Sequence, residues 1–230
     1  MMRNRNEGFT LIELLIAMGI AIVVMGGVYY TFQVQQASYV TQENLSSMQQ
    51  NMRAAMYFME KDIRMAGCNP TEEADDAGMI TSGVTRAIHF TMDIVNDSNP
   101  PVMVSDGDVE DEGESIEYTI AFSAASGTTV IRREDINKHN GPQPIAEDID
   151  ALQFYHLDIN GSLTNTLSRV RSVQIAIVAR TGRPIRGHTD NKTYRVTLPD
   201  GTVQDVFGPA NDHYRRKLLT TVIRCRNLGV

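Results

Sequence analysis

Seven carboxylates crowd into the twelve residues DGDVEDEGESIE, Asp106 to Glu117. Calcium takes about six to eight oxygen ligands, which short acidic loops supply. Asp106, Asp108, Glu110 and Glu112 stand at every second position and are the candidate ligands. The run lacks the full EF-hand pattern, so the expectation is no metal and a solvated loop leading into a strand, with calcium as the alternative. A second group is basic: Arg215, Arg216, Lys217, Arg224 and Arg226. No aromatic residues interleave it to stack on bases, and the chain carries a net charge of −7, so no nucleic-acid partner is expected. His89, His139, His156, His188 and His213 are scattered singly. The sequence contains no G-x-S-x-G, H-E-x-x-H, C-x-x-C or Walker A pattern, so neither an enzymatic activity nor a cofactor is expected.

One more ionisable residue stands out by its surroundings. Leu14 to Phe32 (LLIAMGIAIVVMGGVYYTF) is 19 residues without a charge, and Glu13 sits at its edge. At about 1.5 Å per residue that run spans roughly 28 Å as a helix, close to the hydrocarbon core of a bilayer. Arg3 and Arg5 precede it and would stay cytoplasmic, which places the rest of the chain outside the cytoplasm. Tyr29, Tyr30 and Phe32 fall where an interfacial aromatic belt lies. A cleaved secretory signal needs small residues after the apolar run, and QVQQASYV supplies no A-x-A pattern. A plain anchor explains the length but leaves Glu13 without a reason, since a carboxylate there is costly unless partnered.

The elements that position these residues follow from periodicity. Val34, Ala37, Thr41, Leu45, Met48, Met52, Ala55, Met59 and Ile63 step by three or four residues and form one stripe of an amphipathic helix. The methionines in it read as adaptable core packing. With no proline before Pro70 and a capping glycine at Gly67, the pattern predicts one helix from about Phe9 to Ala66. Its length would be roughly 85–90 Å, with Gly19, Gly26 and Gly27 as soft points. From residue 70 the period changes to two. Strands are predicted at Arg86–Ile94, Ser115–Ser123, Thr128–Arg133, Ile149–Leu157, Val170–Arg180, Tyr194–Leu198, Thr202–Phe207 and Leu218–Arg224. Turn signals separate them at Asp97–Pro100, Asn140–Pro142, Asn160–Gly161 and Asp200–Gly201. The expected fold is α+β: a long helix, half membrane-spanning (about 14–32) and half amphipathic, laid on an antiparallel β-rich head over 70–230.

Charge is unevenly spread over that head. Residues 70–160 hold 19 acids and 4 bases, whereas 161–230 hold 4 acids and 12 bases. Either the two halves fold against each other, or each faces a different neighbour in an assembly.

Residues 7–18, EGFTLIELLIAM, resemble the class III signal of type IV prepilins: a short basic leader ending in Gly8, then Phe9-Thr10-Leu11-Ile12-Glu13 and an apolar helix. The resemblance implies that a membrane peptidase removes residues 1–8 by cutting between Gly8 and Phe9, and methylates the new amino terminus at Phe9. It also gives Glu13 a role, as partner of a protonated Phe9 amine on a neighbouring subunit, setting the register of docking. The segments MEKDIRMAGC, GESIEYTIA, IAEDIDALQFYHLD, RVRSVQIAIVAR and YRRKLLTTVIRCRN extend the resemblance to PilW-type minor pilins and to J-type pseudopilins of type II secretion. The absence of a helix-kinking proline agrees with a minor subunit. Implied partners are other minor pilins, the major pilin, the prepilin peptidase and the inner-membrane assembly platform. The implied role is to prime type IV pilus assembly and to sit at or near the tip, with adhesion and twitching motility as outputs. A type II secretion pseudopilin and a signal-anchored periplasmic binding protein are the alternatives. In the periplasm Cys68 and Cys225 tend to bridge, closing a loop of 157 residues that would contribute about 4–5 kcal/mol; two unpaired thiols remain the alternative.

Overall fold

The computed structural model describes residues 9–96, 102 and 104–228. Gly8 and the turn signal at Asp97–Pro100 lie outside the described residues. The chain divides into two compact units, Met1–Glu43 and Asn44–Val230, with the boundary inside a single helix. That helix, α1, runs Leu11–Met65 without a break through Gly19, Gly26 and Gly27.

In the first unit every residue from Phe9 to Val40 is exposed, and this part of α1 is long and apolar enough to cross a membrane. The stripe expected from Val34 onward becomes buried only in the second unit, where Met48, Met52, Ala55, Met59 and Ile63 are covered together with Met56. The helix stops where Gly67 takes a positive φ of 73°. A Cβ there would come within 2.5 Å of the Leu228 side chain, so both the backbone and the space select glycine.

Ten strands follow: β1 (Val84–Thr85), β2 (Ile88–Thr91), β3 (Ser115–Ser123), β4 (Thr128–Asp135), β5 (Gln143–Ala146), β6 (Ile149–Leu157), β7 (Ser172–Arg180), β8 (Tyr194–Thr197), β9 (Val203–Phe207) and β10 (Arg216–Arg224). They form two antiparallel four-stranded sheets, in the orders β1-β6-β7-β10 and β2-β3-β4-β5, and a separate hairpin β8-β9. Both large sheets pack on the amphipathic part of α1. Met52, Met59 and Ile63 share one apolar cluster with Phe90, Ile116, Ile131, Phe154, Ile175 and Ile223. The opposite face of β6 and β7 is covered by the hairpin: Tyr155, Ala176 and Val178 meet Val196, Leu198 and Val206. β7 lies between helix and hairpin, so Val173 to Ala179 are all buried and both faces of the strand are apolar apart from Gln174. Gln174 is accommodated because its amide donates to the Thr197 carbonyl (3.1 Å) and to Thr220 Oγ1 (3.2 Å).

Most predicted strands appear in place, with β3 and β6 at the expected residues. Three differences have physical causes. Arg86–Ile94 is shorter, because after Thr91 the backbone turns to buried carboxylates. β1 carries too little pattern at two residues. β5 contains Pro144, which a strand tolerates only at an edge, where this strand lies.

Candidate assembly site

Thr10 and Glu13 start the helix as a reciprocal pair. Glu13 Oε2 accepts from the Thr10 backbone N–H (3.0 Å) and from the Thr10 hydroxyl (3.0 Å). The Glu13 N–H in turn donates to Thr10 Oγ1 (3.3 Å). This is a capping box, T-x-x-E, in which each side chain satisfies a backbone donor that the first helical turn leaves open. A carboxylate here also meets the positive end of the helix dipole. Thr10-Leu-Ile-Glu13 states this box in four consecutive residues, and it gives Glu13 a role within its own chain beside the inter-subunit one that the resemblance implies. Phe9 is exposed just ahead of the pair.

At the other end of α1 a polar lock ties the helix to the second sheet. Tyr118 and Arg133 are cross-strand partners on β3 and β4. The Tyr118 hydroxyl and Arg133 Nε both donate to Asp62 Oδ2, each at 2.7 Å. Burial, with the Asp62 carboxylate close by, pushes the Tyr118 hydroxyl far above its ordinary pKa, so it stays a donor. Sequence periodicity could not pair residues this far apart in the chain.

The four candidate calcium ligands of the acidic run are spread along an exposed loop. Asp106, Asp108, Glu110 and Glu112 are exposed. Asp108 Oδ1 accepts from the Glu110 N–H (2.9 Å), and Glu112 pairs with Lys138 (2.8 Å). Among the described residues no three acidic, histidine or cysteine groups are placed to hold a metal ion. What organises the loop is a pair of buried acids. Asp93 accepts from the N–H groups of Asp106 and Gly107 (3.1 Å each) and from the Thr71 hydroxyl (3.1 Å). Glu114 accepts from the N–H groups of Ile94 (2.6 Å), Val95 (2.8 Å) and Asp111 (3.2 Å). Burial raises the Glu114 pKa, and these backbone donors oppose the rise. Charge that reads as ligand in the sequence is partly backbone staple in the fold.

The basic group is also divided. The Arg216 side chain is only 2% exposed and reaches Asp150 (2.5 Å), Asp212 (2.5 Å) and Asp190 (3.2 Å). Its guanidinium holds Asp212 down at a pKa of about 2. Arg180 lies 3.7 Å from Asp150, 3.9 Å from Asp148 and over the Tyr214 ring. The pairs to Asp148 and Asp150 join the acidic half to the basic half, while Arg216–Asp190, Arg216–Asp212, Arg195–Asp205 and Lys138–Glu112 stay within one half. Arg215, Lys217, Arg224 and Arg226 remain exposed. The two cysteines are free thiols against the same apolar cluster, Cys225 buried and Cys68 half-buried. Burial pushes the Cys225 thiol up to about 12, so as a thiol it is unreactive.

The helix is capped at its start, exposed from Leu11 to Val40, apolar from Leu14 to Phe32, and buried along one stripe from Met48. Comparison with known proteins gives two matches. Residues 3–29 match the prokaryotic N-terminal methylation motif, and residues 117–227 match the family described as Type IV Pilus-assembly protein W. The chain thus carries a type IV pilin-like methylation motif at its amino terminus and, over much of the head, a stretch similar to the PilW family. Among solved structures it is similar to a type IV-like pilin from Thermus thermophilus, with 12% identity, a TM-score of 0.48, and coverage of 79% of this chain and 98% of that one. No curated protein matches it.

Proposed function

We propose that this chain is a minor pilin that helps prime type IV pilus assembly at the inner membrane and takes its place at or near the pilus tip. In this reading residues 1–8 are a leader, cut between Gly8 and Phe9, and Phe9 is then methylated. The basic leader faces the cytoplasm and the head, residues 70–230, faces the periplasm until the subunit enters a fibre. The partners are other minor pilins, the major pilin, the prepilin peptidase and the assembly platform, with adhesion and twitching motility as outputs.

The carrying observation is the contrast within α1. The same helix buries its stripe from Met48 onward, yet leaves every residue from Phe9 to Val40 uncovered. An apolar surface of that extent needs a bilayer before assembly and neighbouring helices after it. Glu13 is the only charged group between Phe9 and Phe32. Cleavage creates one cation beside it, the amino group of Phe9. Pairing Glu13 with that amine on an adjacent subunit offsets the cost of enclosing either charge and aligns the two helices axially.

Amino-terminal sequencing of protein from cells with active peptidase tests the reading. The mature chain is expected to begin at Phe9, and Gly8→Val to retain residues 1–8. A wild-type chain that keeps its first eight residues overturns it.

A further inference from the structure

Four edges bound the two large sheets, and three of them are blunted. β1 is two residues long. β2 is covered by residues 78–80, with Met79 bridging Phe90 and the Ile80 N–H donating to the His89 carbonyl (3.0 Å). β5 is four residues long, carries Pro144 and pairs across a register shift at Ile131/Arg132. These are the ordinary devices that keep sheets from pairing with other chains. The fourth edge, β10, is neither short nor covered nor broken by a proline or a register shift, and only charged side chains guard it. Its nine residues pair with β7 in unbroken register from Arg216↔Arg180 to Arg224↔Ser172.

The register fixes which backbone groups point outward. The Cys225 N–H donates to the Arg171 carbonyl (3.0 Å), and the Thr181 N–H to the Arg215 carbonyl (2.9 Å). Odd-numbered residues of β10 therefore exchange bonds with β7. Leu218, Thr220, Val222 and Arg224 turn their N–H and C=O groups to the outer side. Among the described residues no strand pairs there.

The side chains say what kind of strand fits. Lys217 and Arg224 are exposed on the edge, Arg215 and Arg226 flank it, and none of the four makes an ion pair among the described residues. Beside the edge lies a depression of about 400 Å³, in which Arg171 and Arg224 border the exposed apolar groups of Ile159 and Val222. A second copy is a poor occupant. Both copies carry the same exposed cations along this edge, and paired antiparallel about Thr220 they would set Arg224 of each opposite Arg216 of the other; like charges across strands destabilise pairing.

We propose that β10 is a docking edge for an extended, acidic segment of another protein, which adds to the β1-β6-β7-β10 sheet as a fifth strand. Its backbone pairs with Leu218, Thr220, Val222 and Arg224. One carboxylate faces Lys217 on the face that carries Ile223, another faces Arg224 on the opposite face, and on that second face an apolar side chain packs on Val222 and Ile159. This inference stands apart from the pilin reading, since it concerns the head alone.

The test uses the full chain purified in detergent and a blocked synthetic peptide of valine and threonine with two glutamates seven residues apart, as Lys217 and Arg224 are, with the same peptide carrying lysines as control. Hydrogen exchange at Leu218, Thr220, Val222 and Arg224 is expected to slow by about tenfold or more with the acidic peptide. The basic peptide is expected to change nothing. Thr220→Pro removes one outward N–H without touching the β7 ladder and should abolish the protection. Arg224→Glu should weaken peptide binding by about fivefold or more. Thermal melting reports whether each variant folds; if Thr220→Pro does not, Arg224→Glu and Lys217→Glu decide the matter. Unchanged exchange with the acidic peptide, equal protection by the basic one, or concentration-dependent protection of β10 in the protein alone (a second copy) would each overturn the proposal.

Discussion

Glu13 has two jobs in the account above, and substitutions can separate them. In the isolated chain its carboxylate closes the capping box with Thr10. In the proposed fibre it also pairs with the Phe9 amine of a neighbour. Glutamine occupies the same helix position in capping boxes, so Glu13→Gln keeps the hydrogen bonds and loses mainly the dipole contribution, about 0.3–1 kcal/mol. Against the neighbour the loss is larger. Removing one member of an enclosed ion pair leaves the other charge unpaired, a cost of about 3–5 kcal/mol. At about 1.4 kcal/mol per tenfold, that predicts a drop in docking equilibrium of a hundredfold or more. Thr10→Ala is the converse: the charge stays and the N-cap is lost, about 0.5–2 kcal/mol of helix stability. The assay is recovery of each variant with sheared fibres and with the other minor pilins, normalised to membrane-inserted, cleaved protein. Glu13→Gln is expected to be inserted and cleaved but nearly absent from both fractions, with Thr10→Ala reduced several-fold at most. Wild-type recovery of Glu13→Gln beside failure of Thr10→Ala would refute the pairing argument and leave Glu13 as a cap.

The head makes its own predictions. Asp62→Ala strands the Tyr118 hydroxyl and the Arg133 guanidinium, so thermal unfolding should show a loss of about 1–3 kcal/mol, while Tyr118→Phe alone should cost less. Glu114→Ala removes the acceptor of three backbone N–H groups, and hydrogen exchange should rise over residues 104–112 while the sheets stay protected. Asp212 has a folded pKa of about 2, below its ordinary value of 3.8; its contribution is therefore present above about pH 4 and is lost as pH falls toward 2. Melting curves over that window should fall for the wild type and be flatter for Asp212→Asn. The free thiols predict that iodoacetamide labels Cys68 well ahead of Cys225 in native protein; a linked Cys68–Cys225 peptide in a non-reducing digest would establish the bridge instead.

Local chemistry made much of this protein readable. The apolar run from Leu14, the Glu13 beside it and the helix end at Gly67 are each stated by a few consecutive residues, because helices and caps are satisfied within a turn or two of chain. The alternation of β3 was equally plain, since one of its faces is on the core, and β6 was marked by its apolar run although its end is covered on both faces. Where the stripe of α1 begins to be buried was not legible: Val34 and Ala37 continue the helical spacing, yet both are exposed. Tertiary structure alone decided the fate of the charged residues. A run of acids looks the same in sequence whether its members are ligands, turn caps or solvated groups. Here the strand pairing brings Asp93 and Glu114 under the loop and leaves Asp106, Asp108, Glu110 and Glu112 outside. Arg216 and Lys217 are neighbours in the chain, yet the two-residue period of β10 turns one into a pocket of aspartates and the other into water. Periodicity follows from the backbone of one segment, but whether a charge finds a partner depends on which distant segment the sheet order sets against it.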